Sequence, residues 1–124
     1  MRLKLIAALA LQAAPAGQWE QFAEDVRAVY SVDPASIVRG GGPVSVRYRT
    51  ELRATMSDGL RSLVMTVAID CAARTMSVRR MEGHREDGSL IRASDLTGTA
   101  PVPIPDDASG RAFVRRVCGE APPR

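Results

Sequence analysis

Two cysteines, Cys71 and Cys118, constrain this 124-residue chain more than any other feature, because the residues ahead of them read as a secretory leader. Met1 to Lys4 carries two positive charges, Leu5 to Ala14 is an almost uninterrupted apolar run, and Ala14-Pro15-Ala16 presents the small residues that a signal peptidase accepts. Residues 1–16 are therefore expected to be a signal peptide, cut between Ala16 and Gly17, and residues 17–124 a single exported domain. Outside the cytoplasm two cysteines pair. The loop they would close is about fifty residues long, and chain entropy assigns such a bridge roughly 4 kcal/mol. That is a large share of the ~5–15 kcal/mol that holds a small domain together.

The leader also changes the meaning of the charge. The chain has 17 Lys and Arg against 14 Asp and Glu, but losing Arg2 and Lys4 leaves 15 arginines against 14 carboxylates. A nearly neutral domain exerts no strong global pull on nucleic acid or on an anionic membrane. Aromatic residues are few, which argues against a stacking platform for single-stranded nucleic acid. Beyond the leader no apolar run approaches a membrane span.

The mature chain alternates with a period of two, the signature of strands. Val44, Val46, Tyr48, Leu52 and Ala54 share one parity, while Ser45, Arg47, Arg49, Glu51 and Arg53 occupy the other, as in an antiparallel strand with one buried face. Ser57-Asp58-Gly59 supplies a turn, after which Leu63, Met65, Val67, Ile69 and Cys71 share a face. Arg74 to Gly83 reads as a third long strand whose apolar residues change parity between Val78 and Met81, so a β-bulge is predicted near Arg79-Arg80. Glu86-Asp87-Gly88 turns into a short strand over Ser89 to Ala93. Upstream, Trp19 to Ala23 pairs with Arg27 to Val32 across Glu24-Asp25, although Trp19, Phe22, Ala23 and Val26 equally fit one face of a helix. Arg39 to Pro43 is a glycine-rich connection.

Pro101 to Pro105 cannot enter a sheet interior and is expected as extended, polyproline-like backbone. Asp106 or Asp107 then caps a helix on which Phe113, Val114, Val117 and Cys118 form one apolar stripe. Arg115 and Arg116 fall near its C-terminal end, where cations suit the dipole. The fold class is α+β, an antiparallel sheet with a C-terminal helix on one face, pinned by Cys71 to Cys118. Ala121 to Arg124 is expected to fray.

Several of these features, in this order, resemble the surface-adhesin E-like family of small exported bacterial proteins. They are Trp19, the segment "VYSVDPASI" from Val29 to Ile37, the strand "VSVRYR", "IDC" at Ile69 to Cys71 and the terminal "FVRRVC". The resemblance spans roughly Trp19 to Cys118, making residues 17–124 one adhesin-E-like domain, and implies about six antiparallel strands with a disulfide-bonded C-terminal helix. It also implies adhesion, the binding of host matrix or serum proteins. Ala16 is followed by Gly17-Gln18-Trp19 rather than a cysteine, so no lipobox is visible and the periplasm is the expected destination, with the cell surface or secretion as the other exported ones. "IDC" and "VRRVC" describe a scaffold, and no ligand-contacting residue transfers with it.

No catalytic constellation is found, and no cofactor or metal is expected. His84, the sole histidine, lies in the polar segment His84-Arg85-Glu86-Asp87, lacks a Gly-x-Ser-x-Gly context, and is read as an exposed loop residue. A zinc site needs more Cys or His ligands, Asp58, Asp87, Asp106 and Asp107 lack calcium-loop spacing, and Gly40-Gly41-Gly42 is followed by Pro43 instead of a phosphate-binding lysine. The segment with functional content is the alternating set Arg47, Arg49 and Arg53, whose guanidiniums would share the outer sheet face and could hold anionic groups. The leading expectation is a non-enzymatic exported binding protein, its partner a protein or an anionic envelope or matrix component. The competing expectation is a periplasmic enzyme inhibitor or small envelope enzyme, for which a protruding loop around Met81 to Gly88 would be the working part.

Overall fold

The computed structural model describes residues 18–119. The expected signal peptide and cleavage bond, and the end at 121–124 that is expected to fray, lie outside the described residues. Seven strands form one antiparallel sheet. They are β1 (Glu20–Glu24), β2 (Ala28–Val32), β3 (Val44–Leu52), β4 (Ser62–Asp70), β5 (Thr75–His84), β6 (Leu90–Asp95) and β7 (Val102–Pro103), followed by helix α1 (Ala108–Cys118). The first six lie side by side in chain order, and a 3-10 turn, Pro34–Ser36, follows β2.

Four of the hairpin turns are built by aspartates that mimic a backbone turn with the side chain. Asp25 accepts from the amides of Arg27 and Ala28, Asp58 from Leu60, Asp70 from Ala73, and Asp87 from Ser89, all at 2.8–3.0 Å. Gly59 and Gly88 follow two of these aspartates with φ of 91° and 89°, the left-handed backbone that a side chain disfavours. The register slips once between β4 and β5: Thr66 faces Arg80 and Val67 faces Val78, leaving Arg79 as the extra residue of the predicted bulge. The segment from Trp19 settles as a strand rather than a helix, with its own irregularity at Phe22, between Gln21 and Ala23.

One expectation gains a detail and another needs correction. The proline run is extended and stays out of the sheet interior, and it also joins the sheet edge: Val102 and Pro103 pair with Met76 and Thr75 of β5, and the amide of Ile104 donates to Arg74 O at 2.9 Å, adding a short seventh strand to the six. Proline is tolerated there because β7 lies at a sheet edge. The segment from Met81 to Gly88 is not a protruding loop, since β5 continues to His84, held by the pairs Gly83–Leu63 and His84–Ser62, and only a tight turn remains.

One face of the sheet carries the core. Val32, Val46, Val67, Ile69 and Val117 are essentially inaccessible, and Phe113 of α1 packs between Phe22 and Tyr48 at centroid distances of 5.3 and 4.9 Å. Burial lifts the Tyr48 phenol to about 12. Asp107 caps α1 by accepting from Gly110 N at 2.8 Å. At the other end Arg39 reaches across the fold and donates to Val117 O at 2.7 Å, satisfying a terminal helix carbonyl. The Cys71–Cys118 disulfide joins the end of β4 to the end of α1, and Arg116 pairs with Glu20 of β1. With its helix locked to the first face, the sheet leaves the second face open.

Candidate functional site

The open face is populated by strand parity. On β3 the positions that alternate with the core are Arg47, Arg49 and Glu51, which face Thr66, Val64 and Ser62 on β4. Across β5 those same positions meet Arg80, Glu82 and His84, because the bulge at Arg79 has restored the outward parity. Of these, Arg47, Arg49, Ser62, Val64, Glu82 and His84 line an open groove of about 370 Å³, and the ring of Trp19 closes one side.

Trp19 precedes β1 and folds across β3, so that the guanidinium carbons of Arg47 and Arg49 lie 5.4 and 5.1 Å from its ring centroid. Such cation–π contacts contribute roughly 0.5–2 kcal/mol each. The two arginines differ in their remaining partners. Arg47 is committed: Nη1 donates to Asp33 Oδ2 at 3.2 Å, Asp33 is only 4% exposed, and the Arg47 amide donates to Ser36 Oγ at 2.8 Å. Arg49 makes one long contact, Nη2 to Glu51 Oε1 at 3.4 Å, and its Nε is buried without an acceptor. An unsatisfied buried donor costs about 1–3 kcal/mol, which marks Arg49 as the under-partnered cation of the groove.

Opposite Arg49, Glu82 accepts from Arg80 Nε at 2.9 Å and faces His84 Nε2 at 3.0 Å. The hydrogen bond from Arg80, followed by that from His84, holds the Glu82 carboxyl below the usual carboxylate range, so it is an ionised acceptor at neutral pH. His84 Nδ1 faces Gly88 O at 3.0 Å. The histidine is thus not the exposed loop residue that its polar neighbours predict. It ends β5, half-buried, because its backbone keeps pairing with Ser62. Both ring nitrogens are occupied by Glu82 and Gly88, and no hydrogen bond links Ser62 to the imidazole, so the nucleophile–base contact of a hydrolase is not formed. Among the described residues no cluster of three His, Cys, Asp or Glu is placed to hold a metal.

The three arginines do not form one patch. Arg53 falls past the end of β3, where Nε donates to Asp25 O at 2.8 Å and Nη2 pairs with Glu24 at 2.6 Å. It clamps the β1–β2 turn. Of the groove residues, Ser62, Val64 and Glu82 are not singled out from the sequence, Trp19 is expected only as part of the first strand, and His84 as an exposed loop residue. A signal for Glu82 and His84 existed in the alternation, once the bulge is carried forward from Arg79. Nothing local announces that Trp19 lies over β3.

A second cavity of about 270 Å³ lies at the seam of α1 and the proline run, bounded by Ile104, Pro105 and Val114, with Arg74 and Arg111 in its lining. Arg111 is already engaged by Asp106 at 3.2 Å.

The order of Trp19, the alternating β3, the cysteine that ends β4 and the terminal cysteine of the helix is matched by a family model, surface-adhesin protein E, over residues 19–119. The chain belongs to the surface-adhesin protein E family. The match begins at Trp19 itself and runs one residue past Cys118, so it takes in both the groove and the disulfide. No curated protein and no solved structure matches the chain. For this adhesin-E member, then, the family accounts for the scaffold, while the content of the groove is read from its own residues. Among the described residues no helix is long and apolar enough to cross a membrane.

Proposed function

We propose that the protein is an exported, non-enzymatic binding module that holds its partner on the open sheet face, in the groove of Trp19, Arg47 and Arg49. The observation that carries this reading is Arg49: a guanidinium beneath an indole, with one weak protein partner, facing an accessible concavity. The leader at residues 1–16 and membership in a surface-adhesin family support export, with the periplasm or the cell surface as the site of action. The partner class is a protein or an anionic envelope or matrix component, engaged by surface complementarity rather than turnover. Residues 17–124 act as the single domain.

Protein recovered from its native host should begin at Gly17. Immobilised mature protein should then retain a component of envelope or matrix extract, and a Trp19→Ser/Arg49→Ser variant should lose that retention and its salt dependence. Arg53→Ser, away from the groove, should bind normally. Retention that is indifferent to the Trp19/Arg49 change would place binding elsewhere on the molecule.

A further inference from the structure

We propose that the groove beside Trp19 is a site for an acidic saccharide, a uronic or sialic acid, whose carboxylate is taken by Arg49. The inference deepens the binding function proposed above and rests on it.

Three features select this ligand chemistry over a polyanion. The first is charge. Arg47 is paired with the buried Asp33 at 3.2 Å and Arg80 with Glu82 at 2.9 Å, whereas Arg49 has only its 3.4 Å contact to Glu51 and a buried Nε without an acceptor, so it is the least firmly paired guanidinium of this face. A single carboxylate matches a single under-partnered guanidinium, which can receive it through two parallel N–H donors. A phosphate-rich or poly-acidic partner would instead meet the ionised carboxylate of Glu82 on the opposite wall.

The second feature is the other wall's remaining capacity to accept, since each Glu82 oxygen takes one bond, from Arg80 or His84. Glu82 is acceptor-only when ionised, and the Ser62 hydroxyl beside it both donates and accepts. Sugar hydroxyls supply donors and acceptors in close succession, whereas the side chain of an acidic peptide supplies further acceptors. The third is the apolar remainder. The partly exposed Trp19 ring, with the nearly buried Val64 on the groove floor, offers an apolar surface suited to the C–H face of a pyranose, in a groove of about 370 Å³.

Trp19 is the sole tryptophan of the chain, so its fluorescence reports this groove directly. Mature wild-type protein would be titrated with glucuronic acid and N-acetylneuraminic acid, with glucose and N-acetylmannosamine as neutral counterparts and hexaglutamate as the acidic peptide. The expected result is a saturable change in Trp19 emission with at least one acidic sugar, and roughly tenfold or greater weakening for the neutral sugars and for Arg49→Met. Arg53→Met should leave the titration unchanged. Saturation-transfer NMR on the unmodified protein gives a second measurement that depends on no variant, and should show ring protons of the sugar against the indole. Absence of saturable binding by both acidic sugars, equal binding of the neutral ones, or indifference to Arg49→Met in a protein shown to be folded would each overturn the assignment. Tighter binding of hexaglutamate would overturn it in favour of an acidic peptide. If the sugars fail while Trp19→Ser/Arg49→Ser still abolishes retention of an extract component, the groove binds another chemistry; if both fail, the face itself is not the binding surface.

Discussion

Removing the disulfide should be the most damaging small change to this domain. The bridge spans a sequence separation of 47 residues, for which the loop-closure relation gives about 4 kcal/mol at 25 °C. In a domain of about 100 residues, whose unfolding entropy is roughly 0.2 kcal/mol per degree, a loss of that size lowers the melting temperature by roughly 20 °C. The strands should survive in the folded fraction, since their register depends on the Asp-built turns and on the Val and Ile core rather than on the bridge. The assay is thermal unfolding, followed by circular dichroism, of the oxidised wild type, of Cys71→Ser, of Cys118→Ser and of the double variant. Because both cysteines serve one bond, the double variant should be no less stable than the more damaging single one. Were the two single losses to add in the double variant, the cysteines would be contributing independent packing, and the chain-entropy account would fail. A drop of only a few degrees would likewise refute it.

Gly110→Ala should destabilise the fold although alanine is the better helix former, because a Cβ there would lie 1.8 Å from Pro105 O, a backbone atom that cannot turn aside. Overpacking of this kind costs about 1–3 kcal/mol or more, readable as a lowered denaturant midpoint at unchanged slope. The Glu20–Arg116 pair, which ties β1 to α1, should make stability sensitive to acid. The hydrogen bond from Arg116 lowers the folded-state pKa of Glu20 below its ordinary 4.5, so the stabilisation is present above that value and is lost as pH falls through the lower folded one. The exposed setting keeps the effect small. Stability curves measured from neutral pH down to about pH 3 should therefore fall less steeply for Glu20→Gln than for wild type; parallel curves would remove this pair as a contributor.

Much of this architecture is local and was legible in the chain. Period-two alternation in Val44 to Leu52, Asp-Gly pairs at residues 58–59 and 87–88, and a parity change near Arg79 act over a few residues, so they define strands, turns and even the bulge without knowledge of the partners. The pairing of Cys71 with Cys118 is expected from a leader-like N-terminal pattern and a count of two cysteines, and the disulfide is formed. The tertiary structure decided what long-range contacts control. Arg47 and Arg53 carry the same parity and the same charge, yet Asp33 and Trp19 draw one into the groove while Glu24 and Asp25 draw the other to a turn. His84 looked solvated because its sequence neighbours are charged, but its environment is set by Ser62 and Glu82, through pairing that depends on the whole register of β4 against β5. Val102 and Pro103 became a strand only because the edge of β5 beyond β6 was vacant to receive them. Backbone conformation is chosen among a few local wells, and a short stretch of residues biases that choice; a groove is a meeting of side chains from separate strands, and only the closed sheet fixes which of them meet.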